Sequence, residues 1–301
     1  MLVLDLLNVF CLIVIASVTA IGVIGNGFII LANGLDWIQS KTMSPSDMIL
    51  TALSLSRLLF LGLTLGIHCL FLLDVDNPQC FPDTLLLIWA FVNAVSLWMS
   101  ACLAIFYCVK LVSFSRVFFV KIKLQISRLV PWLLLGSVLG PMIISVPIFF
   151  LRKCKPYCDE TKVLQGNNNR TCSGNLISGL LYTAGNFPSF IIVLASSVLL
   201  IWSLRRHAQK MRQNTGSIKD SRMDVHIKAI KTLVSFVILF SASFVALVSL
   251  AVFTIPWTIV LCTIVVTAYN SGHTIILMAM NPKLKELLKR CLQDTIGRCL
   301  R

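Results

Sequence analysis

Charged residues are scarce in this sequence, and acidic residues are the scarcest. Of 301 residues, 13% are charged, with 12 acidic against 26 basic side chains. Soluble domains carry about 25% charged residues. Here 57% of the residues are apolar and the mean hydropathy is +0.88. These proportions exclude a water-soluble globular domain and predict that a lipid bilayer is the solvent of the chain.

The few ionisable residues within apolar stretches exclude further function classes. No carboxylate lies well inside a long apolar run, and the two histidines found there, His68 and His273, fall near opposite ends of the predicted bundle. Metal or acid–base chemistry needs convergent groups, so we expect neither an enzyme nor a metal or cofactor site. Nucleic-acid binding is also not expected, because the basic residues occupy short segments between apolar runs.

Long apolar runs fill most of the chain. A helix needs about 20 residues to cross the hydrocarbon core, and a helix satisfies its own backbone groups in lipid. We therefore predict an all-α membrane protein, a seven-transmembrane helix bundle, with spans at about 6–33, 48–73, 84–109, 129–151, 176–204, 230–253 and 257–280. The first run has no basic segment before it and is too long for a signal-peptide core, so we expect it to be a span.

Positive charge is concentrated on one side of the predicted bundle. Segment 110–128 has five basic residues and no acid, and segment 205–231 has eight basic residues and two acids. The tail after the seventh run has six basic residues and two acids. The positive-inside rule makes these segments cytosolic, which puts the N-terminus outside and predicts a multi-pass membrane protein. Two loops deviate from this pattern. The loop after the first run is slightly acidic although it would be cytosolic, and the loop after the fourth run is net basic although it would be outside.

Features typical of extracellular loops lie on the predicted outer side. Asn169 opens the sequon Asn-Arg-Thr, a glycosylation acceptor in the loop after the fourth run. Four outer cysteines are candidates for two disulfides in any of three connectivities: Cys80, Cys154, Cys158 and Cys172.

The basic tail, 283–301, has the pattern of an amphipathic helix. Asn281 and Pro282 predict a break after the seventh run, because proline resists helix continuation. Four leucines then recur among basic residues, which favours a helix on the inner leaflet: Leu284, Leu287, Leu288 and Leu292. Cys291 and Cys299 on this tail are candidates for reversible palmitoylation.

Polar and small residues inside three apolar runs need a structural role. Glycines surround Asn26 in the first run, in "IGVIGNG", which predicts close helix packing. Arg57 lies about ten residues into the second run, where lipid exposure of a guanidinium is costly, so we expect it to face the bundle interior. Its predicted partners are backbone carbonyls, Asn26, Ser54 and Thr274.

The third run carries an aromatic ring and an amide on one helical face. Trp89, Asn93 and Ser96 recur at helical spacing. This face suits a small-molecule pocket, and the alternative is an ordinary buried tryptophan beside a satisfied asparagine.

Five blocks of the chain together resemble the type 2 taste receptor family, the bitter taste receptors. They are "LSRL" in the second run, "ACLAIFYCVKLVSFS" at the end of the third, "LLIWSLRRHAQKM" in the fifth, "VHIKAIKTLVSF" before the sixth and "SGHTIILMAMNPKLK" in the seventh. The sequon at Asn169 resembles the glycosylation site of the family. Thr274 and Pro282 depart from the usual family pattern. Asp-Arg-Tyr, Cys-Trp-x-Pro and Asn-Pro-x-x-Tyr, the marks of rhodopsin-like receptors, are missing from their expected places.

The resemblance implies a G-protein-coupled receptor that binds small bitter compounds in the outer half of the bundle. Trp89 and Asn93 match family positions for this pocket. Helical spacing from Arg57 and His273 adds further candidates, namely His68, Asn186, Phe187, Ser243, Leu247, Thr263 and Val266. With no acid in the outer part of the seventh run, we expect the pocket to be mostly apolar.

The resemblance also implies a switch and a signalling partner. His273 would belong to a polar switch with Arg57, Tyr107 and Ser203, because an imidazole can trade hydrogen-bond partners. Gustducin or a related inhibitory-type alpha subunit of a heterotrimeric G protein would meet the cytosolic ends, at Lys110, Arg116, His207, Lys210, Lys228 and Lys231. These charges can also serve as topology signals that meet anionic lipid.

Two alternatives stay open. A vomeronasal type 1-like pheromone receptor would share the architecture and the small-molecule role, although the third-run and seventh-run blocks argue against it. A small membrane transporter would show repeats and paired ionisable groups inside the membrane, and the sequence has neither feature.

Overall fold

The computed structural model describes residues 2–73, 83–112, 117–153, 169–214, 221–253 and 255–299. Within these ranges the chain is helical except at short breaks between helices, and it contains no strand. The helices are α1 (Leu2–Ser40), α2 (Pro45–Leu73), α3 (Asp83–Leu111), α4 (Val117–Lys153), α5 (Asn169–Asn214), α6 (Ser221–Val252), α7 (Pro256–Met280) and α8 (Pro282–Cys299).

The seven-helix prediction is confirmed, because α1 to α7 are each long and apolar enough to cross a membrane. Most helices extend beyond the predicted runs. The fifth run ends at 204, for example, whereas α5 continues to Asn214 through Arg205 and Arg206. A charged residue is costly inside the hydrocarbon, but arginine and lysine have good helix propensity. The helix can therefore continue through charged residues once it has left the hydrocarbon.

A local break separates α7 from α8, as Asn281 and Pro282 predict. Asn281 is extended, with φ −87° and ψ 111°, and its backbone N–H still donates to the Leu277 carbonyl. Its side-chain Oδ1 accepts from the backbone N–H groups of Lys283, at 3.1 Å, and Leu284, at 3.4 Å. Asn281 therefore ends α7 and caps the start of α8.

Glycine lets α1 lie directly against α7, in line with the packing predicted for the first run. A Cβ atom on Gly22 would lie 2.2 Å from the Ser271 hydroxyl oxygen and 2.6 Å from a methyl carbon of Leu61. A Cβ atom on Gly27 would meet nothing within 4 Å. Close packing thus requires glycine at position 22 and not at position 27.

Several predicted sites fall outside what the structure describes. Cys80, Cys154, Cys158 and Arg116 lie outside the described residues, and the backbone alone is described for Asn169, Cys172, Lys210 and Cys299. The disulfide and glycosylation hypotheses therefore stay predictions.

Candidate functional site

Among the described residues, one cavity lies toward each end of the bundle. We call the end at which α3, α5 and α7 begin the first end, and the opposite end the second end. The first-end cavity has a volume of about 290 Å³ and is walled by side chains from α2 to α7, among them Thr64, His68, Trp89, Ile148, Tyr182, Leu247 and Thr263. The second-end cavity has a volume of about 360 Å³, and its lining includes Ser100, Tyr107, Ser197, Leu200, Phe236, His273 and Pro282.

The first-end cavity is apolar with a few fixed polar groups. Trp89 packs on Phe60 with ring centroids 5.3 Å apart, and its indole Nε1 donates to the Thr64 hydroxyl at 2.9 Å. On the α5 side, the Tyr182 hydroxyl donates to the Ala90 carbonyl at 3.0 Å. This construction is typical of small-molecule pockets, in which a few oriented polar groups interrupt an apolar wall.

The nine predicted pocket residues do not all line this cavity. His68, Trp89, Leu247 and Thr263 do. Asn93 is buried behind the wall, and its amide nitrogen donates to the Tyr182 hydroxyl at 3.0 Å.

The other four predicted residues do not line the first-end cavity: three are buried elsewhere in the bundle and one is exposed. Asn186, Ser243 and Val266 are buried and do not line the first-end cavity. Phe187 is 50% exposed, because its position on α5 turns the ring toward the bundle exterior, where it contacts Phe190.

A buried polar cluster separates the two cavities. Arg57, which is fully buried, donates through Nη2 to His273 Nδ1 and to the Ser100 hydroxyl at 3.4 Å, and through Nη1 to the Thr274 hydroxyl at 3.5 Å. We call Asn26, Arg57, Ser100, Tyr269, His273 and Thr274 the central polar cluster. It joins α1, α2, α3 and α7.

The cluster includes two residues that the sequence analysis did not predict. The Tyr269 hydroxyl donates to Ser100 at 3.1 Å, and its ring lies 5.6 Å from the Arg57 guanidinium carbon. Helical spacing was the available signal, since Tyr269 lies one turn before His273 and Ser100 one turn after Ser96.

The partners predicted for Arg57 are partly present. Thr274 contacts the guanidinium, and its hydroxyl also lies 3.0 Å from Asn26 Oδ1, so Asn26 joins the cluster through Thr274. The Ser54 hydroxyl has no hydrogen-bond partner among the described residues. Charge compensation for Arg57 therefore comes from neutral acceptors and the Tyr269 ring.

Of the four predicted switch residues, Arg57 and His273 are in direct contact. Tyr107 and His273 both line the second-end cavity, whereas Ser203 is not among the residues lining either cavity. Lys110, His207, Lys228 and Lys231 are exposed on α3, α5 and α6. These four residues lie at the second end.

A column of aromatic rings from α5 and α6 ends at His273. Phe190 on α5 stacks on Phe244 at 4.2 Å and lies 5.7 Å from Phe240, measured between centroids. Phe236 lies one turn before Phe240 on α6. Its ring centroid is 5.9 Å from that of Phe240 and 4.3 Å from that of His273. This aromatic column packs α5, α6 and α7 together.

Comparison with known proteins places this architecture in one family. Residues 3–295 match the family described as Taste receptor protein (TAS2R). Similar proteins include Taste receptor type 2 member 40 of Gallus gallus, 33% identical over 99% of this chain and 98% of the relative, and Taste receptor type 2 member 3 of Papio hamadryas, 32% identical over 95% and 94%. Taste receptor type 2 member 3 of Homo sapiens is 32% identical over 90% of each chain.

These matches decide between the alternatives that the sequence left open. They support neither a vomeronasal receptor nor a transporter, and the matched family consists of receptors and not of enzymes. With seven helices able to span a membrane, the chain belongs to the type 2 taste receptor family, the bitter taste receptors among the G-protein-coupled receptors.

Proposed function

We propose that this receptor binds small, mostly apolar bitter compounds in the first-end cavity and passes the signal to a heterotrimeric G protein at the second end. The observation that carries the proposal is the arrangement of two separate cavities with the central polar cluster between them. A pocket, a switch and a partner surface therefore follow one another along the bundle axis.

Ligand binding would rest on apolar burial and ring contacts. Trp89 supplies the largest ring in the first-end cavity, held in place by Thr64 and Phe60. Leu247 and Ile148 provide apolar walls on α6 and α4. Such a pocket gains affinity from the area removed from water, and Trp89 is the side chain whose loss costs most.

Signal transfer would occur as a population shift between two helix arrangements. The aromatic column and the central polar cluster both meet at His273, which also lines the second-end cavity. A ligand that favours one packing of α5 and α6 would change the partners of His273. The second-end cavity would then admit gustducin or a related inhibitory-type alpha subunit, with Lys110 and Lys231 among the surrounding charges.

This mechanism requires a defined orientation. The positive charge of the second end supports a cytosolic location, with the N-terminus extracellular and the chain in the plasma membrane. Asn169 would carry a glycan, the four outer cysteines would form disulfides, and Cys291, exposed on α8, would accept a palmitoyl group.

The test is a calcium-release assay in cells that express the receptor with a gustducin-tailed alpha subunit and are exposed to a panel of bitter compounds. We expect Trp89→Ala to raise the half-maximal concentration of the agonists at least tenfold, at equal surface expression. Trp132→Ala is the matched control, because Trp132 on α4 is 72% exposed toward the bundle exterior. Unchanged potency of every agonist on Trp89→Ala would contradict the proposed cavity.

A further inference from the structure

On the α2–α3 side of the first-end cavity, the hydrogen-bond donors of Thr64 and Trp89 already donate to other groups of the protein. The Thr64 hydroxyl donates to the Phe60 carbonyl at 2.8 Å and accepts from the Trp89 indole. The Trp89 N–H is thereby consumed as well. Neither side chain has a hydrogen left for a ligand.

The hydroxyl donors of Tyr182 on α5 and Thr263 on α7 are also engaged within the protein. The hydrogen of the Tyr182 hydroxyl goes to the Ala90 carbonyl, and its oxygen accepts from Asn93. The Thr263 hydroxyl donates to the Ile259 carbonyl at 2.8 Å. A cavity built in this way has a shortage of donors and an excess of acceptors.

His68 provides an acceptor whose ring nitrogen can be assigned from its contact. Its Nδ1 lies 2.8 Å from the Thr64 carbonyl oxygen. A carbonyl can only accept, so Nδ1 carries the hydrogen, and Nε2 of the neutral ring carries a lone pair. The Nδ1 contact holds that edge of the ring against the α2 backbone, and the His68 side chain lines the cavity. Nε2 is therefore the ring nitrogen that remains for a ligand.

The remaining groups do not change this balance. No acidic side chain is among the described residues that line the cavity, so nothing there compensates a charged imidazole or a cationic ligand. Ser178 has an interaction of its own within the protein. Ser145, on the α4 wall, is the exception that an experiment must control, because its hydroxyl can donate or accept.

We propose that His68 selects the ligands of this receptor: neutral compounds with an apolar body and a hydroxyl or N–H group that donates to His68 Nε2. The inference rests on the proposed function, since it names the chemical class that the first-end cavity takes. A compound that offers an acceptor in the same position would leave Nε2 buried without a partner, and such a buried, unpaired group reduces affinity about tenfold or more.

The experiment uses matched pairs in which methylation removes the donor and little else. The pairs are 7-hydroxycoumarin with 7-methoxycoumarin and 4-hydroxybiphenyl with 4-methoxybiphenyl, applied in the calcium-release assay. On the unaltered receptor we expect each hydroxyl compound to be about tenfold more potent than its methyl ether. His68→Phe keeps a planar ring without an acceptor, so the two members of a pair should become equally potent.

The controls separate this inference from the proposed function. Ser145→Ala should keep the wild-type difference between hydroxyl compound and ether. The response of His68→Phe to the ethers shows that the variant folds, because the ethers do not need the acceptor.

Contrary outcomes would count against the two proposals at different levels. The role of His68 alone is overturned if the hydroxyl preference survives in His68→Phe, or if hydroxyl compounds and ethers are equally potent on the unaltered receptor. Both readings require that Trp89→Ala raises the half-maximal concentration of both compounds at least tenfold. Full responses of Trp89→Ala would instead overturn the cavity as the ligand site, and the His68 inference with it.

Discussion

Arg57 on α2 and His273 on α7 are joined side chain to side chain at the centre of the bundle, where guanidinium Nη2 donates to imidazole Nδ1. Arg57 is fully buried and His273 is 3% exposed. The contact holds two helices together through one charged and one neutral group. Removal of either side chain would leave the other as an unsatisfied polar group away from water.

Removal of the imidazole should therefore destabilise the receptor through Arg57. His273→Phe keeps a ring against Phe236 but removes the acceptor, and we expect a loss of about 1.5–3 kcal/mol, the range for hydrogen bonds to charged groups. Thermal unfolding of purified receptor in detergent measures this loss. The double variant Arg57→Met/His273→Phe should lose less than the two single variants added together. Strict additivity would show that the two side chains are not coupled.

The approach of α1 to α7 gives a second prediction with its control in the same helix. Gly22→Ala places a methyl group on the Ser271 hydroxyl, which donates to the Val18 carbonyl at 2.9 Å. We expect a lower thermal stability, by about 1–3 kcal/mol for overpacking. Gly27→Ala meets open space and gains helix propensity of up to about 1 kcal/mol. Equal effects of the two substitutions would contradict the packing described here.

The sequence predicted the helices and the interior position of Arg57 because both follow from local chemistry. Apolar length alone specifies a span, and a guanidinium in lipid has to turn inward. Trp89 and Thr263 were likewise placed in the pocket by helical spacing, and they line the first-end cavity. What a single helix determines is visible in its sequence.

Contacts between helices were harder to predict. Tyr182 and Asn93 are 89 positions apart, and nothing in either segment indicates that the Asn93 amide is satisfied by the phenol. Phe187 directly follows the buried Asn186 on α5, yet its own side chain is half exposed. The rotation of each helix about its axis depends on its neighbours, and a sequence without their packing does not specify it.

The orientation of the bundle can be tested at Asn169. If the N-terminus is extracellular, the sequon faces the lumen during synthesis and carries a glycan. Asn169→Gln should then remove the electrophoretic shift that deglycosylation causes. Asn168→Gln is the matched control, since Asn168 has arginine two positions later and is outside any sequon. A receptor whose mobility is the same before and after deglycosylation would contradict the outer location of this segment.

The last prediction concerns an ion-pair group that fixes α8 beneath the bundle. Lys283 Nζ lies 2.7 Å from an Asp36 carboxylate oxygen and 3.3 Å from one of Asp47. Burial opposes the charge of Lys283, but the hydrogen bonds and charges of the two carboxylates outweigh it and raise its pKa. Because the pKa is raised in the folded state, the stabilisation is fully present below the unfolded pKa of about 10.4. It is lost as the pH rises through the folded value.

Lys283→Met should thus destabilise the receptor by about 1 kcal/mol, as is usual for a partly exposed pair, with the same loss at every pH from about 6 to 9. Above about pH 10.4 the unaltered receptor should approach the variant in thermal stability. Lys285→Met is the control, because Lys285 is exposed on α8 and has no ion pair among the described residues. If both variants lose the same stability, the loss comes from the general charge of α8, and the pairing of Lys283 with Asp36 and Asp47 does not hold the helix in place.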